Sequence, residues 1–421
     1  MERVAIIGTG IAGMGAAHFL QKDLDLTLFE KNDYVGGHTN TVTVDEEGRN
    51  VPIDTGFMVF NRVTYPNLIR LFAELGVETK PTSMSFSVQH TASGLEFCGS
   101  GLSGLFAQRR NLLSPRFIRM LLQIDRFNSV CEEVLHDPLY ADMTLQEYVA
   151  IKNFGDDFLY RYIVPMSSAV WSTPIDRMLR FPAFSLVRFF KNHGFLGLNT
   201  QHQWYTVVNG SQSYREKLIS PFRDRIRVNA GVVRVERSDN GAEIVLKDGS
   251  REKYDKVIFA SHADETLAML SEPTALEQRL LSHFTYQENI ALLHTDESVM
   301  PKTRRAWSSW NYRIDGDQDA LQPSTVYWMN SLQQVSDKKN YFVNINGEER
   351  VDPAKVLRRI VYTHPVYTVE SQRAQKSLSL LNAGGPFYFC GSYFRYGFHE
   401  DGLLSALELS RMLLNRPIWQ S

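Results

Sequence analysis

Residues 3–20 read RVAIIGTGIAGMGAAHFL, and residues 26–39 read LTLFEKNDYVGGHT. Val4 to Ile7 form an apolar run of buried-strand length. Gly8, Gly10 and Gly13 come next at G-x-G-x-x-G spacing. Ala16, Ala17, Phe19 and Leu20 give one face of a helix, and Leu24 to Phe29 give a second strand that ends on Glu30. Strand, glycine turn, helix, strand and acid in this order predict a dinucleotide-binding βαβ unit. Gly8 allows a tight turn, Gly10 lets backbone approach a pyrophosphate, and Gly13 lets the helix pack against the strand. The helix N-terminus then meets the phosphates with free N–H groups. Glu30 is placed to accept hydrogen bonds from a ribose.

The residues after Glu30 narrow the cofactor. Gly36-Gly37-His38-Thr39 comes directly after the acid, and Ile53-Asp54-Thr55-Gly56-Phe57 a little later. In these residues the chain resembles the FAD-dependent amine oxidase and phytoene desaturase superfamily. The matching positions are Glu30, Lys31, Gly36, Gly37 and Thr39, then Asp54 and Gly56. The resemblance implies FAD held by Gly8, Gly10, Gly13, Glu30, Lys31, Gly36, Gly37, His38, Thr39, Thr55, Gly56 and Phe57. His38 stands where many members have Arg, and a histidine offers one donor or a pH-dependent charge in place of a permanent forked clamp. The implied fold is α/β, a Rossmann-like FAD-binding domain (GR2-type) with an interleaved α+β substrate domain of mixed sheet and helices. Residues 1–62, 200–275 and 384–421 are expected to form the first, and residues 63–199 and 276–383 the second.

Composition fits this size of protein. A chain of 421 residues suits two domains. A hydrophobic share of 43% supplies ample core, and a net charge of -2 gives no reason to expect nucleic acid. Cys98, Cys131 and Cys390 are scattered and lack metal-ligand spacing, so no metal site or disulfide framework is expected, and a reducing compartment is the natural home. No leader precedes the first strand and no apolar run spans a bilayer, so a cytoplasmic protein, or one in peripheral contact with the inner face of a membrane, is expected.

Pro66 opens a helix that Gly76 stops. Residues 83–88 and 95–100 read as a hairpin. Leu105 to Leu135 read as helices carrying Arg109, Arg110, Arg116, Arg119 and Arg126, either a solvated face or a basic surface for anionic lipid. Thr144 and Glu147 have capping-box spacing. Residues 158–196 are too aromatic and apolar for an exposed helix and are expected to line a core or a cavity, with Trp171, near Ser167, Ser168 and Ser172, at a substrate tunnel. Strands around 287–367 form the substrate sheet, and alternation sets Trp328 and Asn330 on one face as a substrate wall.

By its position in the superfamily pattern, Val232 would hold the adenine. The stretch from Phe387 through Gly402 resembles the C-terminal flavin motif. There Gly391 and Ser392 would meet the pyrophosphate, and Glu400, Asp401 and Gly402 would open a helix beneath the flavin pyrimidine. A helix N-terminus there stabilises negative charge on the reduced ring. Ser392 replaces the usual acid. Cys390 does not match the usual site of a cysteinyl bond, so FAD is expected to be noncovalent.

The stretches GFHEDGLLSALE, WSSWNY, YWMNSLQ and DTGFMVFNRVTYPNL resemble a narrower group, bacterial flavoproteins related to fatty-acyl desaturases and polyunsaturated fatty acid isomerases. That implies an apolar, fatty-acyl substrate, methyl-branched or otherwise modified, losing hydride to flavin N5. His399, Tyr396 and Tyr393 are the catalytic candidates, His399 first because imidazole titrates near neutrality. Alternatives are a redox-neutral fatty acid double-bond isomerase, an amine oxidase, and a flavin-binding protein without turnover.

Overall fold

The computed structural model describes residues 1–99, 101–197, 200–238, 240–316 and 322–419. A parallel sheet of five strands runs in the order Ile226–Arg227, Asp25–Phe29, Arg3–Ile7, Lys256–Phe259 and Phe387–Phe389. Val4 to Ile7 and Val257 to Phe259 are almost wholly buried, as strands covered on both faces must be. Gly8 turns the chain at φ +100°. A Cβ on Gly13 would sit 1.9 Å from the Gly8 carbonyl oxygen, so only glycine lets helix Ile11–Leu20 lie this close to its strand. Helix His399–Leu414 packs against the same helix: a Cβ on Gly15 would come within 2.9 Å of Leu403.

A second sheet has seven strands, in the order Val356–Val366, Thr285–His294, Phe342–Ile345, Gln322–Trp328, Trp310–Asp315, Phe86–His90 and Leu95–Cys98. All pairs are antiparallel except Trp310–Asp315 with Phe86–His90, so the sheet is mixed. One face carries Ala291, Leu293, Tyr327, Val343 and Tyr362 into the core shared with the parallel sheet. The other carries Leu292, Val326 and Phe342 into a small core of its own. The α/β fold with a parallel and a mixed sheet is the one expected. The chain passes between the two sheets repeatedly, which interleaves them.

The expected hairpin forms, with Ser87 opposite Cys98. Pro66 opens helix Pro66–Glu74, and Thr144 and Glu147 make a full capping box. Residues 158–196 form a core, the first of the two expected alternatives. Phe158, Ile163, Trp171, Phe181, Leu186 and Phe190 pack on one another and on Phe127 and Tyr148 as a closed helical core. Aromatic density here fills space rather than lining it. Trp328 differs from expectation. The strand ends there, Met329–Leu332 turns into a helix, and the alternation that grouped Trp328 with Asn330 stops.

Candidate cofactor and substrate site

The phosphate end of the site is built from backbone. Gly10 opens helix Ile11–Leu20, and a Cβ there would meet nothing within 4 Å. This empty space lies before a helix N-terminus with unpaired N–H groups, which suits a pyrophosphate. Gly37, at φ +59°, closes the opposite side, where its own Cβ would approach Gly10 to 3.3 Å. Glu30 ends the second strand and is buried. It accepts from the Thr9 amide and hydroxyl on one oxygen and from the Asn32 amide and side chain on the other. These bonds fix the carboxylate where a ribose would reach it. The Ala230 amide donates to the Glu30 carbonyl and Gly231 passes Lys31, so Val232 comes directly beside the acid. Lys31 itself turns outward to pair with Glu265.

At the other end, residues 36–57 are locked together. The Phe57 amide donates to the His38 carbonyl at 2.7 Å, and Gly56 is so close that a Cβ would overlap it. Asp54 is buried and accepts from the Ser211 amide and hydroxyl, Thr41 and Gln333. It thereby fixes the Asn209-Gly210-Ser211 turn and ties one sheet to the other. Thr55 shares a hydrogen bond of 2.8 Å with Tyr362 on the mixed sheet. Phe57 stacks on His399 with ring centroids 3.8 Å apart.

Four histidines, 38, 262, 364 and 399, meet where the sheets converge. His399 bonds Thr39 at 3.1 Å and Tyr214 at 2.9 Å through Nε2. Burial pushes it down to about 3 and His364 to about 4. His38 also falls well below the usual imidazole range, by burial first and then by its histidine neighbours. All three are neutral at physiological pH. This corrects two expectations. His399 is a packed ring with a committed nitrogen, not a base poised near neutrality. His38 carries no charge for a phosphate; it stacks on Tyr362, and its Nε2 is buried without a partner. The Nδ1 of His364 accepts from Asn289 at 2.8 Å, taking the Asn289 amide nitrogen as donor. His262 stacks on Tyr286.

The C-terminal motif reaches the expected place, but its acids face elsewhere. Gly391 and Ser392 come after strand Phe387–Phe389, and Gly402 packs against Ile11. Two helix N-termini thus meet at the sheet edge. Glu400 accepts from the Asn67 and Leu68 amides and the Asn67 side chain, so it caps helix Pro66–Glu74. Asp401 accepts from the Tyr396 and Phe398 amides and caps its own helix; burial raises it to about 7. The backbone amides of this turn, not these carboxylates, are left for a cofactor.

The other tyrosine and tryptophan candidates serve the packing. Tyr393 is buried against Gly391, Phe284 and Phe394 with its hydroxyl unpartnered, in the core behind the parallel sheet. Its ring is held in that core, with Tyr286 and not a histidine as its main titratable neighbour, which corrects its expected catalytic placement. The Tyr396 carbonyl accepts from Trp171 Nε1 at 3.3 Å. Trp171 packs on Phe181, Phe189 and Phe398, so it braces the turn before helix His399–Leu414 and lines no tunnel. Trp328 faces away from the histidines, edge-on to Trp307 and donating to Asn340. Asn330 donates to the Ser336 and Lys339 carbonyls. Both brace loops and neither forms a wall.

Residues that the sequence singled out only in part make a cavity. It holds about 410 Å³ between helix Val164–Trp171 and the mixed sheet, and its lining includes Ser168, Ser172, Tyr312, Ser324, Asn346 and Arg350. The hydroxyls of Ser168 and Ser172 were visible beside Trp171. Nothing local marks Tyr312, Ser324 or Asn346, because four separate segments contribute. A polar seam connects this cavity with the histidines. Asn346 donates to Asn289, which donates to His364, and Gln287 donates to the Ser172 carbonyl.

Residues 11–338 match the family model for flavin containing amine oxidoreductases. Coproporphyrinogen III oxidase of Bacillus subtilis (strain 168) is 23% identical over 341 residues, 71% of this chain and 68% of that protein. Among solved structures, putrescine oxidase bound to putrescine superposes with a TM-score of 0.68 at 15% identity, covering 99% of each chain. The CLA-producing fatty acid isomerase from P. acnes superposes at 0.68 with 13% identity, covering 98% of each. At these identities the structural likenesses establish the fold.

Proposed function

The chain belongs to the flavin containing amine oxidoreductase family and is a flavin-dependent oxidoreductase; from that premise we propose that it desaturates an apolar fatty-acyl chain, methyl-branched or otherwise modified. The observation that carries this reading is the absence of free charge, among the described residues, around the converging sheets. His38, His364 and His399 are held neutral by burial. Glu30, Asp54, Glu400 and Asp401 are each engaged by protein donors, and no lysine is buried among the described residues. An ammonium substrate would find no unengaged carboxylate there, whereas an alkyl chain loses nothing on entering. That the CLA-producing fatty acid isomerase has this fold is in keeping with the reading.

The residues present fit FAD. Gly10 and Gly37 would leave room for the pyrophosphate, Glu30 would hold the ribose, and Thr39, Thr55, Phe57 and the amides before Gly402 would border the ring. FAD, when bound, supplies the two-electron acceptor for hydride from a substrate C–H. Cys390 is buried and its thiol is pushed up to about 12, so it offers no thiolate for a cysteinyl bond, which supports noncovalent FAD. The helix N-terminus at His399–Leu414 offsets negative charge at the ring. The close-packed Phe57 and His399 keep water from one side. The Nε2 of His38 is buried without a hydrogen-bond partner, and the reading assigns the departing proton to it.

Peripheral membrane contact belongs to the same reading. Leu112, Leu113, Ile118 and Leu122 are exposed, Leu113 at 89%. Arg109, Arg110 and Arg119 beside them make no ion pair with the described residues. Exposed leucine among arginine suits an anionic bilayer surface, and among the described residues no helix is long and apolar enough to cross one.

Anaerobic mixing tests the substrate. Bleaching of the oxidised flavin by branched fatty-acyl lipid, with a new double bond in the product, is the expected result. A shifted double bond without consumption of an acceptor would make it an isomerase. Bleaching by a small amine or a porphyrinogen, with none by acyl lipid, would overturn the proposal.

A further inference from the structure

The cavity between helix Val164–Trp171 and the mixed sheet is outside the cofactor trough, and its chemistry is specific. Three hydroxyls on its wall, those of Ser168, Tyr312 and Ser324, belong to residues at most 3% exposed. Ser168 and Tyr312 approach one another without a well-formed hydrogen bond, and Ser324 Oγ is buried without a partner. Buried hydroxyl groups left short of partners are costly, and their convergence on one space points to an acceptor there. Nearby charge is balanced. Arg350 pairs with Asp315 and Glu349, and Arg313 also pairs with Asp315. The wall therefore presents neutral hydroxyl donors, which select an oxygen-rich head without requiring a full charge.

We infer that this cavity binds the carbonyl oxygens of an acyl head group, a free carboxylate or an ester, and so sets which carbon reaches the flavin. The inference rests on the acyl-substrate reading above and adds the subsite. Asn346 on the cavity wall reaches His364 through the Asn289 side chain by two hydrogen bonds of 2.8 Å, so a head group in the cavity is held next to the histidines.

The test is titration of holoenzyme with dodecanoic acid, methyl dodecanoate and dodecane by calorimetry, using Tyr312→Phe, Ser324→Ala and the double variant. Neither substitution removes a hydrogen bond outside the cavity, so the fold is retained. One neutral hydrogen bond corresponds to about fivefold in affinity, so the single variants should bind the head-bearing probes about fivefold more weakly and the double variant about thirtyfold. Dodecane should be unaffected. Loss with the acid alone identifies a carboxylate, and loss with the ester alone identifies an esterified chain. Equal affinity of wild type and double variant for both would overturn the inference and leave a cavity that holds water only. Flavin bleaching by the same probes separates the two readings. Weakened binding without bleaching by any acyl probe sinks the redox proposal alone, and bleaching with unchanged binding sinks this one alone.

Discussion

Replacing His399 by Phe should flatten the acid sensitivity of the fold. The ring is partly buried, stacks on Phe57 at 3.8 Å and bonds Thr39 and Tyr214 through one nitrogen. Phenylalanine keeps the stack, and Thr39 and Tyr214 remain bonded to each other. Loss of the nitrogen costs about 1–2 kcal/mol at neutral pH. The more diagnostic quantity is the pH dependence. Burial holds the folded-state value at about 3, against 6.5 for a free ring. The folded value is lower, so the stabilisation of the neutral ring is present above pH 6.5 and is lost as pH falls from there towards 3. At pH 5.5, one unit below the free value, the loss is about 1.4 kcal/mol. Urea unfolding at pH 7.5 and 5.5 with saturating FAD should show wild type losing about 1.4 kcal/mol more than His399→Phe between the two. His38, His193 and His364 are also depressed by burial, but they are common to both proteins and cancel. An equal loss in the two proteins would refute the lowering of His399 by its surroundings.

Gly10→Val should fold and bind no FAD, since its side chain fills the one open space before helix Ile11–Leu20; Glu30→Ala should weaken FAD by about 1.5–3 kcal/mol in equilibrium titration. Asp401 is raised to about 7 from 3.8, so stability should fall as pH rises through that window, and Asp401→Asn should remove the slope in the same unfolding assay. Glu400→Ala strips three hydrogen bonds from the start of helix Pro66–Glu74; a loss of about 3 kcal/mol is expected, read as a lower Tm with early proteolysis in that helix.

The sequence reveals most where a short stretch determines its own structure. The run from Val4 to Glu30 announces a strand, turn, helix and strand because each glycine answers a local need, as the overlap of a Gly13 Cβ with the Gly8 carbonyl makes plain. Thr144 with Glu147, and Pro66, act within one helical turn and were equally readable. Side-chain direction was not. Glu400 looks like a flavin-side acid until its partners are seen at Asn67 and Leu68, more than 330 residues away. His399 has an ordinary imidazole's prospects in sequence, and the desolvation that lowers it comes from Phe57 and Tyr214, which no spacing links to it. The cavity is the extreme case, since its walls come from residues near 168, 312, 324 and 346 and no two are neighbours in any pattern.

The same burial that hides these residues from sequence reasoning also explains the chemistry of the site. Cofactor trough and mixed sheet are joined by polar contacts that leave no free charge: Asp54 to Gln333, Thr55 to Tyr362, and Glu46 to Ser336 and Tyr341. Each carboxylate in these joints accepts from several donors, so its charge is spent within the protein. The surface still facing inward is aromatic edge, neutral imidazole and backbone amide. Such a surface has little to offer a cation, but it excludes water around a C–H bond and strengthens the helix-terminal amides that act on the cofactor. The hydroxyls of Ser168, Tyr312 and Ser324 stand apart from this neutral centre, and the cavity they share with Asn346 meets it through Asn289 and His364. A substrate with one oxygen-bearing end and a long apolar body matches both regions at once.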